Sequence, residues 1–198
     1  MSAAAVEHPV HQPTLLELAD EISDKHPGYR VEILGSQITV TPPADMQHAA
    51  ALTDLSVWLA TAGLHSKESK VLQAIGLWLP EGPSDYAIPD LAVVEADCAD
   101  HLIEYNCYDP VVFRMVLEVT SSDYGTDLSI KPRLYAGAGI PVYVIVDRTS
   151  RLVRVLTEPR DGEYRVHAVH RPGESFTLPA SIGAEVTLAV DAVLGPEK

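Results

Sequence analysis

Apolar and polar positions follow two different periods along this chain, and each change of period marks an element. Between Thr14 and His26, Leu15, Leu18, Ala19 and Ile22 recur at the spacing of one helix face behind a threonine placed to cap it. This predicts a helix that Pro27-Gly28 ends. Residues 29–34 and 37–41 then read as two strands joined by the two-residue turn Gly35-Ser36, with Pro42-Pro43 closing the hairpin. Asp45 is placed to cap a long helix reaching about residue 62, with Ala49, Leu52, Leu55 and Leu59 as its apolar stripe and Gly63 as terminator. Residues 71–79 and 88–94 are apolar runs of strand length on either side of the turn Pro80-Glu81-Gly82-Pro83. Residues 97–110 show no period and predict a long loop, of the kind that tends to be functional or mobile.

The chain is organised around residues 116–147. The run 111–120 is rich in β-branched residues and is interrupted by Arg114 and Glu118; a second run covers 142–146. Between them, Leu134-Tyr135-Ala136 favours a helix and Gly137-Ala138-Gly139 stops it. Strand, short helix, strand predicts a sheet with a crossover packed on it. Short strands follow at 152–157, 164–169 and 175–178, with a turn at 159–162, and 185–194 fits either a closing strand or a short helix. Residues 1–12 have no period and are expected to be disordered, leaving 13–198 as one domain.

Composition narrows the class. A chain of 198 residues, 46% apolar and 21% charged, suits one soluble domain with a sizeable core. No apolar run approaches the roughly 20 residues that span a bilayer. There is no basic segment leading into a long apolar one at the N-terminus, and two cysteines make no disulfide framework. The expected location is the cytoplasm. A net charge of −14 opposes nucleic-acid binding, yet its distribution is uneven. Residues 1–130 carry 5 basic against 20 acidic side chains, whereas 131–171 carry 8 against 4. The basic ones include Lys131, Arg133, Arg148, Arg151 and Arg154; a solvated hairpin is the plain reading of that run.

Three side chains carry candidate chemistry: Asp90 in I-P-D-L-A-V-V, Glu118 in L-E-V-T and Lys131 in S-I-K-P-R. A charge in an apolar strand is costly unless it is paired or binds a metal. If the two strands lie side by side, Asp90 meets Glu118, and a divalent cation keeps both carboxylates ionised. Hard oxygen donors of this kind suit Mg²⁺ or Mn²⁺, and a nearby ammonium can orient water or stabilise a phosphoryl transition state. The structural alternatives are a strand-end role for Asp90, a Glu118–Arg114 pair and a Lys131–Asp127 pair. Tyr135 reads as packing. Cys98, His101 and Cys107 offer three zinc ligands where a structural site takes four, and no nucleophile-elbow or phosphate-loop motif is present.

P-D heading one strand, E-V-T-S ending another, D-x-x-x-K, Y-A-x-A-G-I-P-x-Y and a strand ending in Asp together resemble the PD-(D/E)XK nuclease superfamily, and within it the restriction endonucleases of the Uma type. Upstream, Y-R-V-E-I-L-G-S-Q-I-T-V-T-P-P and Gln47-His48 extend the resemblance over roughly residues 14–170. It implies an α/β (α+β) restriction-endonuclease-like domain with a central mixed sheet flanked by helices, a metal-dependent site and often a homodimer. It also implies Asp90 and Glu118 as metal ligands, with the Val119 carbonyl as a third, and Glu32 and His48 lining the same cleft. Thr120 stands where the superfamily lysine usually sits; Lys131 fits the Uma-type pattern, on a helix that Pro132 starts at or just after it. The expected function is Mg²⁺- or Mn²⁺-dependent hydrolysis of DNA phosphodiester bonds, leaving a 5′-phosphate, with Lys131 positioning the water. The alternative is an inactive nuclease fold used for binding or assembly. DNA contacts are expected from Lys131, Arg133 and the Arg148, Arg151 and Arg154 hairpin, weak and salt-sensitive. A dimer contact is expected from residues 97–110.

Overall fold

The computed structural model describes residues 12–120 and 124–196, so the expectation of disorder over 1–12 falls outside the described residues, save for Gln12. Helix α1 (Leu15–Lys25) starts at a reciprocal cap: Thr14 Oγ1 accepts the Glu17 amide at 3.2 Å, and Glu17 Oε2 accepts the Thr14 amide at 2.7 Å. Strands β1 (Arg30–Leu34) and β2 (Gln37–Thr41) form the expected hairpin. Its turn residues Gly35 and Ser36 have φ of 58° and 61°, the left-handed pair that matches strand twist. Helix α2 (Met46–Leu59) starts at Asp45, whose Oδ1 accepts the His48 amide at 2.7 Å, and runs on into a π-helical turn over Ala60–Leu64.

The apolar run 71–79 is not one strand. It breaks at Ala74, with φ of 52°, into β3 (Ser69–Gln73) and β4 (Gly76–Trp78), which join different sheets. The run 88–94 likewise shortens: β5 (Tyr86–Ala87) and β6 (Leu91–Glu95) leave Ile88-Pro89-Asp90 as a connector, where the missing amide of Pro89 costs no ladder bond. The expected loop at 97–110 is largely structured. A 3-10 turn at Cys98–His101 leads into a hairpin of β7 (Leu102–Glu104) and β8 (Cys107–Tyr108). Tyr105 and Asn106 supply its turn with positive φ.

Strand β9 (Phe113–Val119) is followed by two short helices, α3 (Tyr124–Ser129) and α4 (Lys131–Gly137), and by β10 (Val142–Asp147). Pro132 sets the start of α4 at Lys131. Strands β11 (Leu152–Arg160) and β12 (Glu163–His170) form the long hairpin, whose turn narrows to Asp161-Gly162 because β11 carries on through Pro159. Then come β13 (Ser175–Leu178) and β14 (Val186–Ala189), and α5 (Val190–Leu194) closes the fold. The end segment is thus both strand and helix.

Among the described residues, the strands make two six-stranded mixed sheets, ordered β2-β1-β5-β4-β8-β7 and β12-β11-β10-β9-β6-β3, with β13-β14 as a separate pair. The expected mixed sheet flanked by helices is the second of these. Period-two alternation sorts the side chains. Leu91, Val93, Met115, Leu117, Val142, Val144 and Val146 pack with α2, α5 and β13-β14 on one face of that sheet. Ala92, Val94, Val116, Tyr143 and Ile145 pack on the other face with α4 and with Leu34, Leu77 and Ala87 of the first sheet. Helix α1 covers the outer face of the first sheet through Ala19, Val31 and Ile33. The molecule is therefore layered helix, sheet, sheet, helix, with α4 inserted between the sheets. No helix among the described residues is long and apolar enough to cross a membrane.

Candidate functional site

Strand β6 pairs antiparallel with β9, Leu91 opposite Leu117, which sets Asp90 at the head of β6 beside Glu118 near the end of β9. Asp90 Oδ2 accepts the Val119 amide at 2.8 Å, and the Asp90 amide points to Glu118 Oε2 at 3.4 Å. Glu118 shares its strand face with Val116, between the sheets, and is fully buried. Lys131, on the first turn of α4, is 1% exposed; its Nζ lies 2.7 Å from Glu118 Oε1, 3.3 Å from Glu32 Oε1 and 3.4 Å from Asp127 Oδ1. Asp90, Glu118 and Lys131, separated in sequence, thus meet at one place.

The sequence also pointed to Glu32 and His48, and both are here. Glu32, buried on β1 of the first sheet, accepts the Ile88 amide at 2.8 Å. His48, buried on the first turn of α2, places Nε2 3.3 Å from Asp90 Oδ2, while its Nδ1 has no hydrogen-bond partner. Thr120, in the usual lysine position, is structural: its Oγ1 accepts the Arg148 amide at 3.0 Å. Glu118 does not pair with Arg114, whose guanidinium turns to Glu95 at 2.9 Å.

Sequence reasoning missed Arg30 and underrated Tyr135. Arg30 Nη1 donates to Asp90 Oδ1 at 2.6 Å and to the Ile88 carbonyl at 3.0 Å, and lies 3.9 Å from Glu118 Oε2. The Tyr135 hydroxyl donates to Glu118 Oε1 at 2.9 Å while its ring packs edge-on against Tyr143. A signal for Arg30 did exist: Arg30 and Glu32 are two charges at i and i+2 in an apolar strand, hence on one face.

Four carboxylates, Glu32, Asp90, Glu118 and Asp127, formally face two permanent cations, Arg30 and Lys131. Burial alone would raise Asp90, but the hydrogen bond to His48 and the charge of Arg30 outweigh it and hold this carboxyl well below its usual range. Burial pushes Glu118 well up against the pull of Lys131, with Asp90 and Asp127 adding to the rise. Asp127 is pushed up to about 6, again mainly by burial. Burial would depress Lys131, but Glu118 and Glu32 outweigh it, so the ammonium is held more firmly than usual.

The donor set has the chemistry of a hard divalent cation site, oxygen atoms from at least two carboxylates. Asp90 Oδ1 and Glu118 Oε2 both turn toward one point, and that point holds Arg30 Nη1. With the guanidinium there, no three His, Cys, Asp or Glu side chains among the described residues are arranged to hold a metal ion. The zinc candidates do not converge: Cys98 lies in the core between the sheets and Cys107 in the core under α1.

The positive charge after Lys131 is largely used within the chain. Arg148 contacts Asp45 at 3.1 Å and Gln47 at 2.9 Å, Arg151 donates to the Gly195 carbonyl at 3.0 Å, and Arg154 lies 3.6 Å from Asp147. Lys131 is buried, and Arg133 is exposed. The expected DNA-contacting set is thus reduced by pairing, which sequence could not reveal.

The fold is similar to that of a solved "putative nuclease belonging to DUF820" from Anabaena variabilis ATCC 29413, with a TM-score of 0.67 over 92% of this chain and 98% of that one, at 14% identity. No curated protein sequence matches the chain. The family model described as "Uma2: Putative restriction endonuclease" matches residues 13–191, nearly the whole sequence, and the chain belongs to that family.

Proposed function

We propose that this protein is a divalent-metal-dependent endonuclease that hydrolyses DNA phosphodiester bonds. One observation carries the reading: Asp90 and Glu118, from adjacent strands, each commit one oxygen to the fold and turn the other to a shared cation position. Asp90 and Glu118 would hold Mg²⁺ or Mn²⁺, with the Val119 carbonyl as a further donor. When bound, such an ion polarises the scissile phosphate and stabilises its developing charge.

The chain's own residues supply the rest. Lys131, fixed by three carboxylates at the floor of the site, donates the hydrogen bond that orients the attacking water. Tyr135 and Lys131 together hold Glu118 Oε1, so its other oxygen keeps its aim. Water adds to phosphorus as the bond to the 3′ oxygen breaks, leaving a 5′-phosphate.

The test is plasmid cleavage in Mg²⁺ or Mn²⁺ by wild type and by D90A/E118A. Cleavage by wild type and its loss in the double variant are expected; cleavage retained in the variant refutes the assignment. The occupation of the cation position by Arg30 favours a second reading, a nuclease fold that binds or assembles without cutting. Intact wild-type protein that takes up Mn²⁺ yet leaves plasmid uncut would support that one.

A further inference from the structure

Three carboxylates surround Arg30, and each divides its oxygens in the same way. Asp90 Oδ2 is anchored by the Val119 amide at 2.8 Å, and its Oδ1 meets Arg30 Nη1 at 2.6 Å. Glu118 Oε1 is anchored by Lys131 and Tyr135, and its Oε2 faces Arg30 Nη1 at 3.9 Å. Glu32 Oε1 is anchored by the Ile88 amide, and its Oε2 has no hydrogen bond and lies 3.6 Å from Arg30 Nε. The guanidinium faces all three of these second oxygens, Asp90 and Glu118 at Nη1 and Glu32 at Nε, while Glu118 Oε2 also takes the Asp90 amide at 3.4 Å.

It fits that place poorly. Arginine binds carboxylates best through two parallel bonds, yet none of these three is gripped by two nitrogens, and buried Nε donates to nothing. Three carboxylate oxygens facing one cation are what a hard divalent ion takes readily, whereas a planar fork cannot satisfy them together. Arg30 is also the partly open member of the cluster, with its side chain 20% exposed against 0% for Glu32 and Glu118.

We propose that the Arg30 guanidinium holds the place of the divalent cation, that the two exclude each other, and that Glu32 is the third carboxylate around that place. This rests on the metal reading above. Cation binding breaks the Arg30–Asp90 pair and turns the guanidinium toward solvent at the mouth of the site, where its fork is free for a phosphodiester. Arg30 thereby lowers metal affinity and raises affinity for the DNA backbone.

The experiment measures Mn²⁺ binding by calorimetry on full-length wild type, R30M, R30K and D90N at pH 7.5, alongside plasmid cleavage. R30M should bind Mn²⁺ about tenfold tighter, roughly the loss of one competing charged hydrogen bond, yet cleave more slowly. R30K should lie between. An arginine that only supports the fold would weaken both properties when replaced. Mn²⁺ binding by R30M equal to or weaker than wild type, with D90N abolishing it, overturns the exclusion while leaving the metal reading intact. Wild-type Mn²⁺ binding that D90N does not reduce overturns the metal reading itself. Because R30M leaves buried carboxylates uncompensated, a second measurement uses wild type: the arginine side-chain ¹⁵Nε signals during a Mg²⁺ titration, with Arg30 assigned from R30K. The Arg30 signal should move to the position and width of a solvated side chain, and an unmoved signal at saturating Mg²⁺ refutes the proposal.

Discussion

Replacing Lys131 with methionine isolates the electrostatics of the site from its chemistry. Methionine keeps most of the stem's packing and deletes only the charge. In wild type the ammonium is 1% exposed and within 3.4 Å of three carboxylates, Glu118, Glu32 and Asp127. Without it, fully buried Glu118 keeps only the Tyr135 hydroxyl, a long contact to the Asp90 amide and a distant Arg30. Breaking a buried pair by removing one partner costs about 3–5 kcal/mol, and three acids on one base place this case at the upper end. A domain of this size has about 5–15 kcal/mol in all, so K131M should still fold but lose a large share. The loss depends on pH. Glu118 and Asp127 are already raised by burial, and losing Lys131 raises them further, so they take up protons as pH falls and shed the unpaired charge. Urea unfolding followed by circular dichroism should show a midpoint about 2 M lower at pH 8 and a much smaller drop at pH 5, taking a slope of about 2 kcal/mol per M. The double variant E118Q/K131M should recover part of the loss, because the closest unpaired acid is gone. An equal shift at both pH values, or none, would refute the claim that Lys131 neutralises this cluster.

Asp127 gives a second pH test. Its pKa rises from 3.8 to about 6 on folding, so the stability its proton supplies is full below 3.8 and lost as pH passes through 6. D127N should therefore gain on wild type by about 3 kcal/mol between pH 3.5 and 7, at about 1.4 kcal/mol per unit; parallel stability curves would contradict this. DNA binding should be weak and steeply salt-dependent, with a log–log slope of about −0.9 per phosphate contacted, since the acidic half repels and Arg148, Arg151 and Arg154 have partners in the chain. A slope near zero measured by fluorescence anisotropy would mean that phosphate contact is not how the protein holds DNA. The edge strand β7 exposes Leu102 and Ile103, with Tyr105 beside them, on the segment expected to form a dimer contact. Light scattering should give twice 21.4 kDa and I103E should reduce it to one chain; a single 21.4 kDa species for wild type at micromolar concentration excludes the dimer.

How much of the site was legible depended on which contacts were needed to assemble it. Asp90 and Glu118 could be paired from sequence because each is a charge heading or ending an apolar run, and neighbouring antiparallel strands bring such positions together. Lys131 was legible through the Uma-type pattern the chain resembles, since the usual spacing from the acid leads to Thr120, and Pro132 marked where its helix begins. Arg30 carries the same charge-in-a-strand signal as Glu118, but linking it to the site requires knowing that β1 belongs to a different sheet, laid over the one that carries β6 and β9. Nothing in the run 71–79 announces that division. Ala74 adopts a left-handed conformation without the glycine or asparagine that usually marks one. The basic hairpin shows the opposite failure: composition registered its charges, while their partners, Asp45 for Arg148 and Gly195 for Arg151, lie 103 and 44 residues away in sequence.

The connector Ile88-Pro89-Asp90 ties the site to the cohesion of the whole molecule. It is a direct passage from the first sheet to the second, and both polar groups of Ile88 are held by β1, the amide by Glu32 and the carbonyl by Arg30. Two residues further on, Asp90 is clamped to β9. The two sheets are thus riveted to each other through the same side chains that form the cation position. Any ligand gripping Glu32 together with Asp90 and Glu118 adds its binding free energy to the adhesion between layers, as linkage requires. Loading the site and keeping the sandwich closed would then be coupled, and prying the sheets apart would release the ligand.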